Sequence, residues 1–459
     1  MNFVIAKEKA QNIERNNYFT LPASPVRLSK STNKLSSTTP PKYKLTESIS
    51  TLNRLIATIV LSLTYSFSIL ISVLTKGWLK SKTRRGRIIV NGTFHNPNWF
   101  HAHITPLVNS GYGEVILVCD APIAELPNLI YECPPNWANK IFSRAGAKFF
   151  WTFIQGFKRP ADIYIGYHIF PSAVTALICG RLFGAKVVYQ LTAGELELQG
   201  GGWNVENKVM VALSRPSILV QTLAHALMRQ YDQAIVRGSN AKNYVLQHKF
   251  RNALAVVTGS VETKLPIIDS KDIDVIFVGR LSEYKRPDRL LEVVAGVVRS
   301  ISDFNATLVG EGPDREALEN QARDLGIEKN VTFLGQRDDV PTLLSRAKLF
   351  VLTSRWEGVS IAMLESMAMK SVPIVSNVGD LRDFAINGET GYTIAQEDKE
   401  GFINAIVKLL SDEKHRAYLA TNARQLVVDK CDRDIMSERW SDILNNLINC
   451  RESTKIKQN

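Results

Sequence analysis

The pattern of hydrophobic and polar positions divides the chain into three stretches. Residues 20–48 are rich in Ser, Thr, Pro and Lys and contain few apolar residues, which predicts a disordered tail. Leu55 to Thr75 then form an uncharged, mostly apolar run of 21 residues, which predicts a helix. From residue 87 onwards, short apolar runs alternate with stretches of helical periodicity, and this alternation is typical of an α/β fold with parallel sheets.

The short apolar runs fall into two groups, each of which predicts a doubly wound parallel sheet. A polar interruption around Pro266 separates the groups. We therefore predict a first domain at 87–265 and a second at 266–430, after an N-terminal segment 1–86 and before a C-terminal helical segment 431–459. The runs of the first group are 87–92, 114–120, 162–166 and 186–191, and those of the second are 275–278, 307–309, 331–334, 349–352 and 372–375.

Net charge separates the N-terminal segment from the rest of the chain. The whole sequence carries +12, but residues 1–86 hold 14 Lys and Arg against 3 Asp and Glu, a balance of +11. The remaining residues hold 42 basic against 41 acidic side chains and are nearly neutral. Because enzymes of nucleic acids display a basic face on their folded domain, this distribution argues against a nucleic-acid partner.

Positive charge also flanks the apolar run. Arg54 precedes it, and Lys76 and the basic cluster within 80–87 follow it. A run of this length can cross the hydrocarbon layer, and the basic flank would then stay on the cytoplasmic side. A helix lying on the membrane surface and a buried helix of a soluble domain are the alternatives. Residues 137–159 interleave aromatic side chains with Lys and Arg, which fits either a lipid surface or a helix with its aromatics packed inward.

A cationic loop follows the first strand of the second group. Gly279 and Arg280 come directly after the apolar run, and Lys285 lies a few residues further on. Arg280 can hold a diphosphate with its planar guanidinium, and Lys285 can act as a mobile point charge. Gly279 lets the backbone approach a ligand closely. The loop is therefore a candidate site for a diphosphate.

Two carboxylates, Glu357 and Glu365, flank the start of a predicted helix further along the second domain. Gly358, Val359 and Ser360 lie directly before that helix, where free N–H groups and the helix dipole favour an anion. Glu365 lies roughly two turns into the helix, so the two carboxylates can accept hydrogen bonds from different hydroxyl pairs, one on a sugar and one on a ribose. No Asp-x-Asp cluster accompanies them, and we predict no metal site.

Four segments of this half resemble glycosyltransferase family 4 in sequence, order and spacing. The resemblance is strong over 265–395 and weaker over 87–264. It implies two Rossmann-like domains facing a cleft (the GT-B fold) and a C-terminal helix that crosses back onto the first domain. It also implies a retaining, metal-independent enzyme with no cofactor, since the nucleotide-sugar donor is a substrate. The segments are 277–281, 308–313, 331–335 and 357–365.

The same resemblance implies roles for the residues of the second domain. Arg280 and Lys285 would bind the diphosphate of the donor, and Glu357 would bind the hydroxyls of its sugar. Glu365 would bind the ribose, and the Leu334-Gly335 region would lie near the base. The positive charges would stabilise the departing diphosphate while the glycosidic bond breaks.

The acceptor is expected on the first domain, beyond the carboxyl ends of its strands. His95 and His168 follow two of these strands and are candidates to line the cleft. The family often has a histidine in a His-Gly-x-Glu-like turn, and the corresponding turn here begins with Thr192, whose hydroxyl can orient a sugar. The family's next donor-side motif corresponds to 379–383, with Asp383 at the position of a glutamate.

We therefore predict a membrane-associated, retaining enzyme of the hexosyltransferase type. It would move a sugar from a nucleoside-diphosphate sugar to a lipid-linked saccharide, a glycolipid or a polysaccharide. A nucleotide-sugar epimerase and an inactive sugar-nucleotide binding protein are the alternatives. Five scattered cysteines without paired spacing indicate reduced thiols. We accordingly place the enzyme on the cytoplasmic face of a membrane, with a single span as one option.

Overall fold

The computed structural model describes residues 51–79, 86–268 and 270–456, with side chains as far as residue 449. The tail predicted at 20–48 lies outside the described residues, and so does the cluster from Lys80 to Arg85.

The first sheet is parallel and has seven strands. Their order across the sheet is β3-β2-β1-β4-β5-β6-β7, so the chain starts in the middle and winds out to both edges. Such winding places loops from neighbouring strands together at the carboxyl edge. The strands are β1 (Arg87–Asn91), β2 (Glu114–Val118), β3 (Leu129–Glu132), β4 (Ile163–Tyr167), β5 (Lys186–Gln190), β6 (Gln233–Val236) and β7 (Ala253–Val256).

The second sheet is also parallel and has six strands, in the order β10-β9-β8-β11-β12-β13. It repeats the plan of the first sheet, because its first strand again lies near the middle. The strands are β8 (Ile273–Val278), β9 (Ala306–Val309), β10 (Val331–Gly335), β11 (Ala347–Leu352), β12 (Val372–Ser376) and β13 (Tyr392–Ile394). The predicted α/β class with two doubly wound parallel sheets is confirmed.

Helices connect the strands of both sheets. The helices before β8 are α1 (Thr51–Leu74), α2 (Pro97–Val108), α3 (Asn136–Lys158), α4 (Val174–Leu182), α5 (Lys208–Val211), α6 (Ile218–Met228) and α7 (Ser239–Gln247). Those after β8 are α8 (Pro287–Val298), α9 (Arg315–Asp324), α10 (Val340–Arg346), α11 (Ile361–Ala368), α12 (Lys399–Ser411), α13 (Glu413–Cys431) and α14 (Arg433–Ile456). Short helical turns cover Ile169–Ala173, Gly194–Glu197, Gln199–Gly201 and Leu381–Asp383.

The first sheet is buried on both faces, as a parallel sheet requires. Successive side chains of β1 point to opposite faces, so Ile89 joins one buried cluster while Ile88 and Val90 join another. The second cluster also contains Trp440 and Leu444 from α14. The last helix of the described chain therefore packs against α2 and forms part of the core of the first sheet.

Helix α1 packs against α4 and α6 on the other face of this sheet. Its inner side chains Leu61 and Tyr65 are fully buried, whereas a row of large apolar side chains on its outer face is exposed. Among the described helices, it is the one that is long and apolar enough to cross a membrane by length and composition.

Candidate active site

A cleft of about 630 Å³ lies between the carboxyl edges of the two sheets. Its walls come from both halves of the chain, and six of the residues singled out from the sequence line it together. The remaining sequence candidates do not line this cleft. The lining candidates are His95, His168, Thr192, Lys285, Glu357 and Gly358, and the others are Gly279, Arg280, Leu334, Gly335, Val359, Ser360 and Glu365.

The second domain contributes an ion pair to the cleft wall. Lys285 Nζ lies 2.5 Å from Glu357 Oε1, and the Ser354 hydroxyl donates to the same oxygen at 2.8 Å. The Glu357 side chain is largely buried and that of Lys285 is about a quarter exposed. The sequence predicted both residues for one donor site, and the fold brings them into direct contact although they come from the loops after two different strands.

Arg280 pairs with a residue of the first half of the chain. Its Nη1 is 3.5 Å from Glu206 Oε2, and both side chains are more than half exposed. Glu206 belongs to the first half of the chain and lines the cleft. The structure therefore places the Arg280 side chain in contact with a residue of the opposite cleft wall.

The carboxyl ends of β8, β9 and β10 pack backbone to backbone. The Gly279 N–H donates to Val309 O, and Gly310 N–H donates to Gly335 O. A Cβ at Gly310, where φ is +137°, would lie 1.9 Å from the Gly279 carbonyl oxygen, so no other residue fits. Leu334 is partly buried against the same core. These residues form a tight edge of the second sheet next to the cleft.

Helix α11 begins directly behind Glu357. Ser360 is its N-cap, because the hydroxyl accepts from Met363 N–H at 3.3 Å, and Val359 is buried in the core. Gly358 is the residue that faces the other domain: a Cβ there would lie 3.1 Å from Thr192 O. Glu365 is partly buried further along the helix, and burial raises its pKa to about 7.

The first domain contributes a histidine and a threonine to the opposite wall. His168 Nδ1 lies 2.5 Å from Thr192 Oγ1 and 3.5 Å from Glu197 Oε2. The backbone of His168 is strained, with φ of +64°. Its side chain is less than half exposed and lines the cleft. Both residues were expected to line the acceptor side, and the fold brings them into hydrogen-bond contact.

Glu197 holds this wall together and was not found from the sequence. Its side chain is only 3% exposed and accepts from Ile169 N–H, Thr192 N–H and the Tyr189 hydroxyl at 2.5, 3.0 and 2.8 Å. Burial acts to raise its pKa, but hydrogen bonds and the charge of His168 outweigh burial, so the pKa lies below its usual value. Glu197 is therefore a buried carboxylate that fixes His168.

His95 lies at the same edge of the first sheet but is more exposed. Its Nε2 is 4.0 Å from Asp120 Oδ2, and Asp120 is bound by the buried Lys148 at 3.1 Å. His95 lines the cleft without being fixed by a close hydrogen bond among the described residues.

A buried arginine, also missed from the sequence, lies at the base of the cleft. Arg237 donates to Thr258 O at 3.1 and 3.0 Å, and its guanidinium carbon lies 5.0 Å from the centre of the Trp99 ring. Burial lowers its pKa to about 10, although the charges of Glu357 and Asp380 oppose this shift. The residue stays cationic near neutral pH and supplies positive charge next to Glu357.

Comparison with protein families finds a match to most of the second domain. Residues 263–426 match the family model described as "Glycosyl transferases group 1", and this range contains Lys285, Glu357 and the whole edge formed by β8, β9 and β10. This part of the chain is therefore similar to the group 1 glycosyltransferases. The prediction of a glycosyltransferase is confirmed by this match and by the similar proteins below, and that of the GT-B fold is confirmed by the similar solved structures.

Similar proteins come from bacteria. N-acetyl-alpha-D-glucosaminyl L-malate synthase of Bacillus anthracis is 23% identical over 64% of this chain and 77% of its own length. The UDP-Gal:alpha-D-GlcNAc-diphosphoundecaprenol alpha-1,3-galactosyltransferase of Escherichia coli is 30% identical over 39% of this chain but only 46% of its own length. HepE of Anabaena, solved with UDP and glucose, aligns over 79% of this chain and all of its own, with a TM-score of 0.63 and 17% identity.

In the second domain, the segment 379–383 contacts the first domain. Asp380 Oδ1 accepts from Asn240 N–H at 2.6 Å, and Asp383 Oδ2 accepts from Ser239 N–H at 2.6 Å. Two carboxylates therefore cap the N-terminus of α7, where the helix dipole favours negative charge. Asp383, at the family's glutamate position, binds this helix end and does not line the cleft.

No group of three or more His, Cys, Asp or Glu side chains that could hold a metal ion occurs within the described ranges. The ligands that the cleft offers are instead an ammonium, a guanidinium, carboxylates, hydroxyls and an imidazole. Such a set suits hydroxyl groups and phosphate oxygens.

Proposed function

We propose that this protein is a retaining glycosyltransferase. It moves a hexosyl group from a nucleoside-diphosphate sugar to a lipid-linked saccharide, a glycolipid or a polysaccharide. One observation carries the proposal: the Lys285–Glu357 pair of the second domain faces the His168–Glu197 pair of the first domain across one cleft.

The similar proteins support both substrate classes. HepE was solved with UDP-glucose, and the Escherichia coli relative acts on a diphosphoundecaprenol acceptor. A Campylobacter jejuni relative, 27% identical over 37% of this chain, likewise acts on a saccharide linked to undecaprenol diphosphate. A UDP-sugar as donor and a polyprenyl-diphosphate saccharide as acceptor are therefore the first substrates to test.

On the donor side, the Lys285 ammonium binds the diphosphate and Glu357 accepts hydrogen bonds from sugar hydroxyls. In the described structure Lys285 and Glu357 neutralise each other. When the donor binds, this ion pair is replaced by charge-assisted hydrogen bonds from Lys285 to the diphosphate and from the sugar hydroxyls to Glu357. The nucleotide extends towards Gly279, Leu334 and Gly335, with Glu365 available for the ribose. Arg280 joins the diphosphate by leaving Glu206, an exchange that costs little because the pair is exposed.

On the acceptor side, His168 hydrogen-bonds a sugar hydroxyl in the cleft. In the retaining step the bond between the anomeric carbon and the diphosphate oxygen breaks, and a bond from the acceptor oxygen forms on the same face of the sugar. The acceptor proton passes to the departing diphosphate, whose negative charge Lys285 and Arg280 stabilise. Contact between Gly358 and the Thr192 turn excludes water from this region and favours transfer over hydrolysis.

Donor binding gives the first test. A nucleotide sugar at 100 times its dissociation constant should raise the free energy of unfolding by about 2.7 kcal/mol, which thermal-shift measurements with a panel of UDP-, GDP- and ADP-sugars detect. Glu357→Gln should lose most of this shift, because the amide cannot accept hydroxyl hydrogen bonds through two anionic oxygens. The exposed Glu328→Gln is the matched control and should bind as the unchanged protein does.

The outcomes separate the proposal from its alternatives. Transfer to an undecaprenyl-diphosphate disaccharide with the bound donor supports it. Isomerisation of the donor without an acceptor would identify an epimerase, and binding without transfer or hydrolysis across a broad acceptor panel would identify an inactive binding protein. A shift of equal size for the Glu357→Gln and unchanged proteins would overturn the donor-site assignment.

Glu365 predicts a pH dependence of donor affinity. Burial raises its pKa to about 7, and hydrogen bonds from ribose hydroxyls favour the ionised form, so the donor lowers this pKa on binding. Binding then releases a proton, and affinity should rise as the pH goes from about 6 to about 8, by roughly tenfold for each unit of pKa lowering.

The measurement is calorimetric titration of a UDP-sugar at pH 6, 7 and 8. A UDP-sugar is preferable to UDP, because a terminal phosphate itself titrates near pH ~6. Glu365→Gln should bind more weakly with a flat pH profile. If this variant keeps the rise with pH, another group is responsible and Glu365 is not the ribose ligand.

A further inference from the structure

The outer face of α1 is an exposed apolar surface. Leu63, Phe67 and Leu70 are 66%, 56% and 53% exposed, and they belong to a row that runs the length of the helix. Hydrophobic patches of this extent on a soluble surface indicate an interaction site. The row consists of Leu52, Leu55, Ile56, Ile59, Val60, Leu63, Phe67, Leu70, Val73 and Leu74.

The inner face of α1 ties the helix to the first domain. Leu61 and Tyr65 are fully buried in the same cluster as Tyr189 of β5. After the helix ends, Gly77 N–H donates to Arg181 O at 2.8 Å and Leu79 N–H donates to Leu182 O at 2.9 Å, so the chain is fastened to the end of α4. A helix crossing the bilayer away from the domain would have to break these contacts and expose this core.

A second apolar surface converges on the same place. Helix α3 carries exposed Phe157 at its C-terminal end, and the Phe157 ring lies 4.9 Å from that of Phe183, the residue that follows α4. Trp78, which is 71% exposed, lies in the segment fastened to the end of α4. The segment that follows α1 and the C-terminal end of α3 thus both lie at the end of α4. The exposed apolar residues of α3 are Trp137, Ile141, Phe142, Phe150, Ile154 and Phe157.

The charged residues of α1 and α3 and of the segment after α1 are basic. Neither α1 nor α3 contains an acidic residue, whereas Lys140, Arg144 and Lys158 on α3 and Lys76 after α1 are exposed. Helices with an apolar face beside Lys and Arg lie in the headgroup region of a bilayer, where anionic lipids attract the cations. Two helices without acidic residues and with exposed cations complement an anionic bilayer.

We propose that α1 lies in the plane of an anionic membrane and does not cross it. Its outer face and the exposed face of α3 insert together, and the inner face of α1 stays in the protein core. The N-terminal tail and both domains are then on the same side of the bilayer. This proposal goes beyond the proposed function and does not depend on the transfer chemistry.

Vesicle flotation of the full chain tests the surface. The protein should float with phosphatidylcholine vesicles that contain phosphatidylglycerol and far less with phosphatidylcholine alone. The triple variant Leu63→Gln, Phe67→Gln, Leu70→Gln should reduce the bound fraction at least tenfold, because each substitution removes apolar area from the lipid contact. The double variant Ile268→Gln, Leu325→Gln changes two exposed apolar positions of the other half of the chain; it is the control and should float normally.

The side of the membrane on which the N-terminus lies shows whether α1 lies on the bilayer or crosses it. An N-terminal tag on protein inserted into sealed vesicles should be cleaved by protease added on the side of the catalytic domains. A protected tag would show a crossing helix and overturn the proposal. If the triple variant floats as well as the unchanged protein, the proposal is also overturned. It is overturned as well if the unchanged protein binds no lipid and forms a dimer that dissociates in the triple variant, since the surface would then join two copies of the chain.

Measuring donor binding by the triple variant distinguishes a failure of the membrane proposal from a failure of the proposed function. The triple variant in detergent should give the same thermal shift with a nucleotide sugar as the unchanged protein. Loss of flotation with intact donor binding therefore supports the membrane surface even if the assigned transfer reaction fails.

Discussion

Lys285→Met should lower kcat for sugar transfer by about 10²- to 10³-fold, since it removes a preorganised cation from the charge that develops on the leaving diphosphate. Met keeps most of the volume of the side chain, so the wall around Glu357 retains its packing. The KM for the donor should change much less than kcat if the ammonium acts chiefly in the transition state. Initial rates with varied donor, at saturating acceptor, separate the two constants.

Lys329→Met is the matched control, because Lys329 is an exposed residue on a loop of the same domain. It should transfer sugar at the rate of the unchanged protein. Lys285→Arg should recover part of the lost activity, since it restores the charge with a different geometry. A Lys285→Met protein with unaltered kcat would remove this side chain from the reaction and, with it, the central assignment of the donor wall.

The second large effect concerns folding as well as activity. Glu197→Ala should lower the free energy of unfolding by about 3–5 kcal/mol, because it leaves the N–H groups of Ile169 and Thr192 and the Tyr189 hydroxyl without their acceptor. Glu197→Gln should unfold less readily than the alanine variant but still lose activity, since the amide no longer holds His168 by charge. Urea denaturation followed by fluorescence measures the first effect, and initial rates measure the second.

The pH dependence of this effect has a definite sign. The pKa of Glu197 is lower in the folded protein than its usual value, so its ionised form stabilises the fold above the unfolded pKa, and that stabilisation is lost as pH falls through the folded pKa. The unchanged protein should therefore lose more stability on acidification than Glu197→Gln. Glu195→Gln, in the same turn, should behave like the unchanged protein, and equal acid sensitivity of all three proteins would contradict the buried-carboxylate assignment.

Local sequence could predict most of the strands and the two residues of the second domain, Lys285 and Glu357, that line the cleft. Runs such as Ile88 to Val90 predict a buried strand because every position in them is apolar, and Lys285 and Glu357 lie in loops that directly follow such strands. The short strands β3, β6, β7 and β13 were not predicted. Each has only three or four residues and is a strand because a neighbouring strand pairs with it.

The cleft wall formed by the first domain depends on contacts that a linear pattern does not contain. Glu197 acts through groups from the ends of β4 and β5, and the sequence gives no sign that a glutamate in a helical turn is buried among them. Arg237 likewise follows a short strand and becomes important only when Trp99 and Glu357 approach it. The contact between Arg280 and Glu206 of the other domain is likewise absent from any local pattern, while the predicted role of Arg280 at the diphosphate stays a prediction.

The position of Tyr65 has a practical consequence for producing the protein. Membrane-attached enzymes are commonly shortened by removing the apolar N-terminal segment, on the assumption that the catalytic part is complete without it. Here such a deletion would take away the buried ring of Tyr65, whose neighbours include Tyr189, the residue that donates to Glu197. We therefore expect a version that starts after residue 79 to lose the packing around Tyr189 and Glu197. Recombinant preparations should keep the segment and supply a detergent or lipid for it.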